Sequence, residues 1–243
     1  MKVFRSALRL ALLLAPALLA GEIAAQEHRH DNQEAIAKLA TALGLRPGSV
    51  MADVGAGDGA YAVPLARTVG PGGRVIAVDI SNRALERLRA RIDREGLTNV
   101  TVVHGDVDNP KLDPASLDAV LIVNAYHEMT EYASMLRHIR AALKPEGRLV
   151  IADFASPSRR SEPRDAQTRR HEIAPELVLE EVRAAGFSMI GLEDPFNAGH
   201  GHADHVGWLL TLTPDVMKVP VARYQAPVAR GAAHCCSSDI WAS

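Results

Sequence analysis

The chain has 243 residues, of which 47% are hydrophobic and 23% are charged, and its formal net charge at pH 7 is −2. This length and apolar content are enough to bury a full core in one or two domains. The near balance of charge gives no reason to expect a nucleic acid or an anionic membrane as a partner.

The first 25 residues have the pattern of a secretory signal peptide. Lys2, Arg5 and Arg9 precede an apolar run over residues 10–20, and small residues then lead to Gln26. The run is about half of the ~20 residues that a helix needs to span a bilayer, and no cysteine that could carry a lipid lies near the cleavage site. We therefore predict an exported chain, periplasmic or secreted, without a stable membrane anchor; an uncleaved chain would be cytoplasmic.

Beyond this leader, apolar segments with strand spacing and helix spacing alternate along the chain. Such alternation predicts an α/β fold with a doubly wound, mostly parallel, seven-stranded Rossmann-like sheet, an antiparallel edge hairpin and helices on both faces. The predicted strands cover residues 50–54, 74–80, 100–107, 117–123, 187–193 and 205–212, with one more that ends at Asp153. The predicted helices cover residues 59–69, 131–143 and 174–185, with one more that ends at Gly44 and one that is capped by Ser81.

A glycine-rich turn follows the first strand. Gly55, Gly57 and Gly59 would let the backbone approach a ligand where a Cβ would clash, and the helix that follows would direct unpaired N–H groups at that ligand. Asp53 lies two residues before the first of these glycines. Its carboxylate would repel a pyrophosphate and attract an amino or ammonium group.

Polar side chains also end the next three strands. Asp79 ends the second strand, Asp106 the third, and Asn124 follows the fourth. Ligands of open α/β sheets bind outside the carboxyl ends of the strands, near the switch in strand order. We therefore expect these residues to converge with the glycine turn on one ligand, where Asp79 could accept hydrogen bonds from both hydroxyls of a ribose.

Together, these motifs resemble the class I S-adenosylmethionine (SAM) dependent methyltransferases over residues 34–213. The resemblance implies SAM as the cofactor and a small molecule as the methyl acceptor. In that family the acid after the third strand binds the adenine amino group, and the next residue packs on the ring. The cofactor-binding residues that the resemblance implies are Asp53, Gly55, Gly57, Asp79, Ile80, Asp106, Val107 and Asn124.

Two other interpretations stay open. Gly55-x-Gly57-x-x-Ala60 followed by Asp79 also fits the dinucleotide fingerprint of an NAD-linked oxidoreductase, although no separate substrate domain follows. A methyltransferase fold without catalysis, serving as a SAM-binding sensor or scaffold, is the second alternative.

Methyl transfer needs alignment of the acceptor and, for some acceptors, a base. His127 is the candidate for this catalytic base, because histidine titrates near neutral pH. Alternatively, His127 only shapes the pocket. His200, His202 and His205 are expected to contact the acceptor or to lie in a solvated loop rather than to bind a metal, so no metal site is predicted. Five arginines over residues 159–170 give a weak preference for a polar or anionic acceptor: Arg159, Arg160, Arg164, Arg169 and Arg170.

The predicted organisation is a signal peptide over residues 1–25, a methyltransferase domain over residues 26–213 and a poorly ordered tail over residues 214–243. Cys235 and Cys236 are adjacent and lie in this tail. A structural cross-link between them is not expected, because a vicinal disulfide is strained. The acceptor, the oligomeric state and the supply of SAM outside the cytosol are not indicated by the sequence.

Overall fold

The structure is a computed structural model, and it describes residues 33–196 and 206–215. The leader, the His200–His205 loop and most of the C-terminal tail lie outside these residues. Helix α1 spans residues 33–42. The strands are β1 (Val50–Val54), β2 (Arg74–Asp79), β3 (Val100–His104), β4 (Leu117–Val123), β5 (Leu143–Ala155), β6 (Phe187–Glu193) and β7 (Val206–Pro214). The other helices are α2 (Ala62–Val69), α3 (Asn82–Glu95), α4 (Tyr132–Ala142), α5 (Arg164–Thr168) and α6 (Pro175–Ala184), with 3-10 turns at Tyr126–Glu128 and Pro157–Arg159.

All seven strands form one sheet in the order β3-β2-β1-β4-β5-β7-β6. Neighbouring strands from β3 to β5 are parallel, whereas β7 is antiparallel to both β5 and β6. The predicted fold class is therefore confirmed. The strand order reverses at β1, which lies between β2 and β4, and this switch point leaves a crevice at the carboxyl ends of the parallel strands.

The core has two layers, one on each face of the sheet. One apolar cluster contains Trp208 and Leu136, and the other contains Leu65 and Leu88. Strands covered on both faces have nearly continuous apolar sequences, as β4 does: five of its residues from Ala119 to Val123 are buried. This two-sided burial fixes the central strands and, with them, the positions of the loops at their ends.

Helix α3 begins where the sequence predicts. The Ser81 side chain accepts a hydrogen bond from the Ala84 N–H at 3.3 Å, and Gly96 ends the helix in the left-handed conformation. Helix α2 begins at Ala62 rather than at the predicted Gly59, because Gly59 has a φ of +85° and cannot belong to a right-handed helix.

The segment after β5 contains structure that the sequence pattern did not predict. Its short helix α5 is fixed by one buried side chain, Gln167, whose amide donates to the carbonyls of Arg160 and Glu162 and accepts from the N–H of Ala174. Among the described residues, no helix is long and apolar enough to cross a membrane.

Candidate functional site

A cavity of about 420 Å³ opens at the carboxyl ends of the parallel strands, beside the switch point. The ends of β1 and β2, the turns after β3 and β4 and Met135 of α4 form its walls. Six of the eight predicted cofactor-binding residues line this cavity: Gly55, Asp79, Ile80, Asp106, Val107 and Asn124. Residues that are distant in the sequence thus meet at one place, as the strand-end argument predicts.

The glycine turn wraps the end of β1. The N–H groups of Gly55 and Ala56 both donate to the carbonyl of Val78 on β2, at 2.8 and 3.0 Å. A Cβ on Gly55, whose φ is +82°, would lie 2.5 Å from the Cβ of Ala125, so only glycine fits. The corresponding position on Gly57 has no described atom within 4 Å. A ligand could therefore lie directly against the backbone of Gly57.

Asp79 is held by the backbone on both of its carboxylate oxygens. Oδ2 accepts from the N–H of Gly57 and Oδ1 from the N–H of Ser81, each at 2.8 Å. Each oxygen keeps a second lone pair that can accept from a ribose hydroxyl. The same carboxylate therefore fixes the glycine turn and offers two acceptor atoms to the cavity.

Two large apolar side chains are exposed on the cavity wall. Ile80 is 57% exposed and Val107 is 56% exposed, and both line the cavity. A flat aromatic ring packed against them would remove this apolar surface from water. Asp106 lies beside them, and its Oδ1 is 2.8 Å from Lys111 Nζ; an adenine amino group would share this carboxylate with the lysine.

Asp53 lies behind the glycine turn and is not part of the cavity wall. It is only 2% exposed, and its Oδ2 has no hydrogen-bond partner among the described residues. Burial raises the pKa of Asp53 to about 7; the Ala62 N–H opposes this shift, and the negative charge of Asp79 adds to it. An unpaired buried oxygen requires a donor, and an ammonium group or a water molecule would supply one.

His127 lies in the turn after β4, buried under Glu128. Its Nδ1 is 2.9 Å from Asp153 Oδ1, and its backbone N–H donates to Asp153 Oδ2 at 3.2 Å. Its Nε2 is 3.2 Å from Glu128 Oε1, which also lies 2.5 Å from His171 Nδ1. Glu128 lines the cavity, whereas His127 does not. The sequence interpretation did not pair Asp153, Glu128 or His171 with His127.

The charges in this group shift two pKa values. Burial lowers the pKa of His127, but the carboxylates of Asp153 and Glu128 raise it more, so that it lies above its ordinary value. The pKa of Glu128 lies below its ordinary value, chiefly because His171 donates to it and despite some burial. Both ring nitrogens of His127 thus face carboxylates, which favours the protonated ring.

The arginines of the segment after β5 are engaged with acids of the same protein. Arg160 contacts Asp194, Arg164 contacts Glu181 and Arg170 contacts Glu162, and Arg159 contacts Glu172. Four of the five arginines are therefore neutralised by internal acids. The sequence-based inference of an anionic acceptor, which depended largely on the charge of these arginines, is therefore weakened.

Comparison with known proteins agrees with this geometry. Residues 51–147 match a family described as a methyltransferase domain. The demethylmenaquinone methyltransferase of Lactococcus lactis subsp. lactis is 30% identical over 122 residues, which are 50% of this chain and 48% of that protein. The ubiquinone/menaquinone biosynthesis C-methyltransferase UbiE of Pseudomonas putida is 32% identical over 116 residues, which are 47% of this chain and 45% of that protein. The chain thus spans about half the length of these curated relatives.

Solved structures show the same fold over a longer part of the chain. A SAM-dependent methyltransferase from Aquifex aeolicus has a TM-score of 0.62 at 22% identity, covering 74% of this chain and 89% of that one. The [4+2]-cyclase SpnF has a TM-score of 0.63 at 22% identity, covering 74% and 80%. These comparisons agree with the enzyme class and the cofactor that the sequence predicts: residues 51–147 match a methyltransferase domain, and a SAM-dependent methyltransferase has the same fold.

Proposed function

We propose that this protein transfers a methyl group from SAM to a small-molecule acceptor. One observation carries the proposal: the cavity at the switch point brings together the ends of four strands with the polar and apolar groups that SAM requires. The unpaired Asp53 oxygen behind the glycine turn adds a group that suits the ammonium end of the cofactor.

In this arrangement each half of the cofactor has its own partners. Asp79 would accept from the ribose hydroxyls, Ile80 and Val107 would pack on the adenine, and Asp106 would accept from the adenine amino group. The backbone at Gly55 and Gly57, with Asp53 behind it, would adjoin the methionine half. Asn124 has a φ of +50° and turns the chain from β4 toward Glu128. The acceptor would therefore enter on the side of Glu128, Met129 and Thr130, which line the cavity.

Bound SAM supplies an already activated methyl group, so the protein must align the acceptor in line with it and, for a hydroxyl or protonated amine, remove a proton. We propose neutral His127 as the final proton acceptor; because the neighbouring carboxylates raise the pKa of the ring, this role requires a pH above that raised pKa. Asp153 holds Nδ1, which leaves Nε2 to accept. Glu128 lies between Nε2 and the cavity and would contact the acceptor and pass its proton to the ring.

The acceptor class follows only in outline. The named relatives act in menaquinone or ubiquinone biosynthesis, and apolar side chains such as Met129 and Met135 line the cavity near Glu128. We therefore add quinone-type rings to the polar acceptors that the sequence suggests.

The exported location that the leader predicts is also kept as a proposal.

Calorimetry with SAM, followed by a methyl-release assay on a panel of quinone-type and polar acceptors, tests this function. Asp79→Ala should weaken SAM binding by about 1.5–3 kcal/mol, because hydrogen bonds to a charged group are lost. The matched control is Asp113→Ala, which removes an exposed aspartate outside the cavity. His127→Asn should lower turnover without weakening SAM binding.

Each alternative has its own outcome. Binding of SAM without turnover of any acceptor would favour a sensor or scaffold. Tighter binding of NAD than of SAM would favour the oxidoreductase. Wild-type SAM affinity in Asp79→Ala would show that the assigned cavity is not the cofactor site.

A further inference from the structure

Three side chains of metal-ligating type meet beside the cavity. His127, Glu128 and His171 each offer one ligand atom, and these atoms all lie within 4.8 Å of one another. Glu128 Oε1 is central, 3.2 Å from His127 Nε2 and 2.5 Å from His171 Nδ1. Ligand atoms of a tetrahedral zinc site lie ~3.3 Å apart, given its bond lengths. Small rotations would therefore place all three atoms around one ion.

The buried member of this cluster is already held in the orientation of a ligand. His127 has a side chain that is 5% exposed, and the Asp153 carboxylate at its Nδ1 is fully buried. A carboxylate behind a ligating imidazole fixes the ring and its tautomer and makes the other nitrogen a better ligand. Asp153 therefore leaves Nε2, the nitrogen that points to Glu128, as the ligand atom.

The other two members can adjust to an ion. The side chains of Glu128 and His171 are 59% and 73% exposed, so neither is confined by packing. The His171 ring meets the His127 ring edge to face, with centroids 5.9 Å apart. The cluster joins the 3-10 turn after β4 to the turn after α5, two segments that are distant in the sequence.

We propose that His127, Glu128 and His171 form a site for a divalent transition-metal ion, with zinc or cobalt(II) as the best match. Two imidazoles and one carboxylate suit these ions, whereas magnesium and calcium prefer oxygen ligands alone. Three protein ligands leave a fourth position open. Because Glu128 lines the cavity, an oxygen atom of the acceptor could fill that position; this role rests on the proposed function, but ion binding does not.

Ion binding and proton acceptance exclude each other at Nε2 of His127. In the ion-loaded protein, the ion would lower the pKa of a bound acceptor hydroxyl, whose proton would then leave to water. In the ion-free protein, His127 keeps the role of base. Metal content therefore decides which of the two mechanisms operates.

The test uses full-length protein that has been treated with a chelator and dialysed. Zinc is titrated by calorimetry without SAM, and the visible absorption of added cobalt(II) reports its ligands. We expect one site that His171→Ala and Glu128→Gln each weaken at least about 10-fold, and that Asp153→Asn weakens by about 10–100-fold. His138→Ala is the matched control, since it removes an exposed imidazole on α4 and should leave the site intact.

Zinc binding that is unchanged in both His171→Ala and Glu128→Gln would overturn the site, because ions held elsewhere on the chain would not respond to these changes. Equal weakening by His138→Ala would overturn it as well. Titration of the same samples with SAM separates the two proposals. Protein that binds SAM but no zinc contradicts only the metal site, and protein that binds zinc but no SAM contradicts only the proposed function.

Discussion

Asp53 combines a buried carboxyl group with an oxygen that no described residue pairs. Leaving a polar atom unpaired in the interior destabilises a protein, so the position is unfavourable unless a ligand or a water molecule completes it. The pKa of Asp53, raised to about 7, has the same cause, since burial disfavours the charged form of the carboxyl group. Bound SAM would relieve it by bringing a positive charge close to the glycine turn.

This pKa predicts a pH dependence of stability. The pKa of Asp53 in the folded protein lies above its ordinary pKa. The stability that Asp53 contributes is therefore fully present at pH values below the ordinary pKa and is lost as pH rises toward about 7. We expect the melting temperature of the SAM-free protein to fall from about pH 4 to about pH 7 more steeply than that of Asp53→Asn. Thermal melts of both proteins across this range measure it.

His127 contributes in the same direction, because its pKa is also raised. The comparison therefore concerns the difference between wild type and Asp53→Asn, in which the His127 contribution cancels. Parallel melting profiles for the two proteins would contradict a shifted pKa at Asp53.

Among the elements, α3 is tied to the cofactor cavity through its first residues. Ser81 caps the helix with its side chain, while its backbone N–H donates to Asp79. The start of α3 and the carboxylate proposed for the ribose therefore share one residue. A substitution that weakens the cap of α3 should therefore also affect the cofactor cavity.

We expect Ser81→Ala to lower the free energy of unfolding by about 1 kcal/mol, the usual cost of a lost N-cap. SAM binding should also weaken, because fraying of the first turn of α3 would loosen the Ser81 backbone N–H that donates to Asp79. Denaturant unfolding and calorimetry measure the two effects. Ser81→Asp, which can still cap α3, is the control and should restore stability; a stable Ser81→Ala protein would show that the cap contributes little.

Most elements could be predicted because local pattern and tertiary structure agree. Strands β1 and β6 begin and end at the predicted residues, since apolar runs bounded by turn residues define them. Helix α5 was missed because a single buried glutamine, rather than an apolar face, holds its segment.

The candidate site was predictable where it depends on strand ends and not where it depends on loops. Asp79 and Asp106 follow directly from the strand pattern. The meeting of Glu128 with His171 depends on the path of the segment after β5, and His171 itself has a left-handed backbone with a φ of +57°. No spacing in the sequence encodes that approach, so the contacts of His171 with Glu128 and of Asp153 with His127 became visible only in the structure.

At the scale of the whole molecule, export is the main open proposal. The predicted leader over residues 1–25 lies outside the described residues, and the fold begins with α1 at residue 33. We expect mass spectrometry of protein from the native host to show a mature chain that begins near Gln26. A full-length cytosolic product would contradict export and would also remove the question of how SAM reaches the protein.

The place of β7 in the sheet has a consequence for how the chain acquires its structure during synthesis. β7 lies between β5 and β6 and is the one strand that pairs with β6 in the described sheet. When β6 leaves the ribosome, its native neighbour β7 has yet to be made. The sheet can close only after residues 206–214 have emerged, so a partly synthesised chain keeps an open β5 edge. A chain that must cross a membrane unfolded would gain from this delay, since its native sheet cannot form before residues 206–214 have been made.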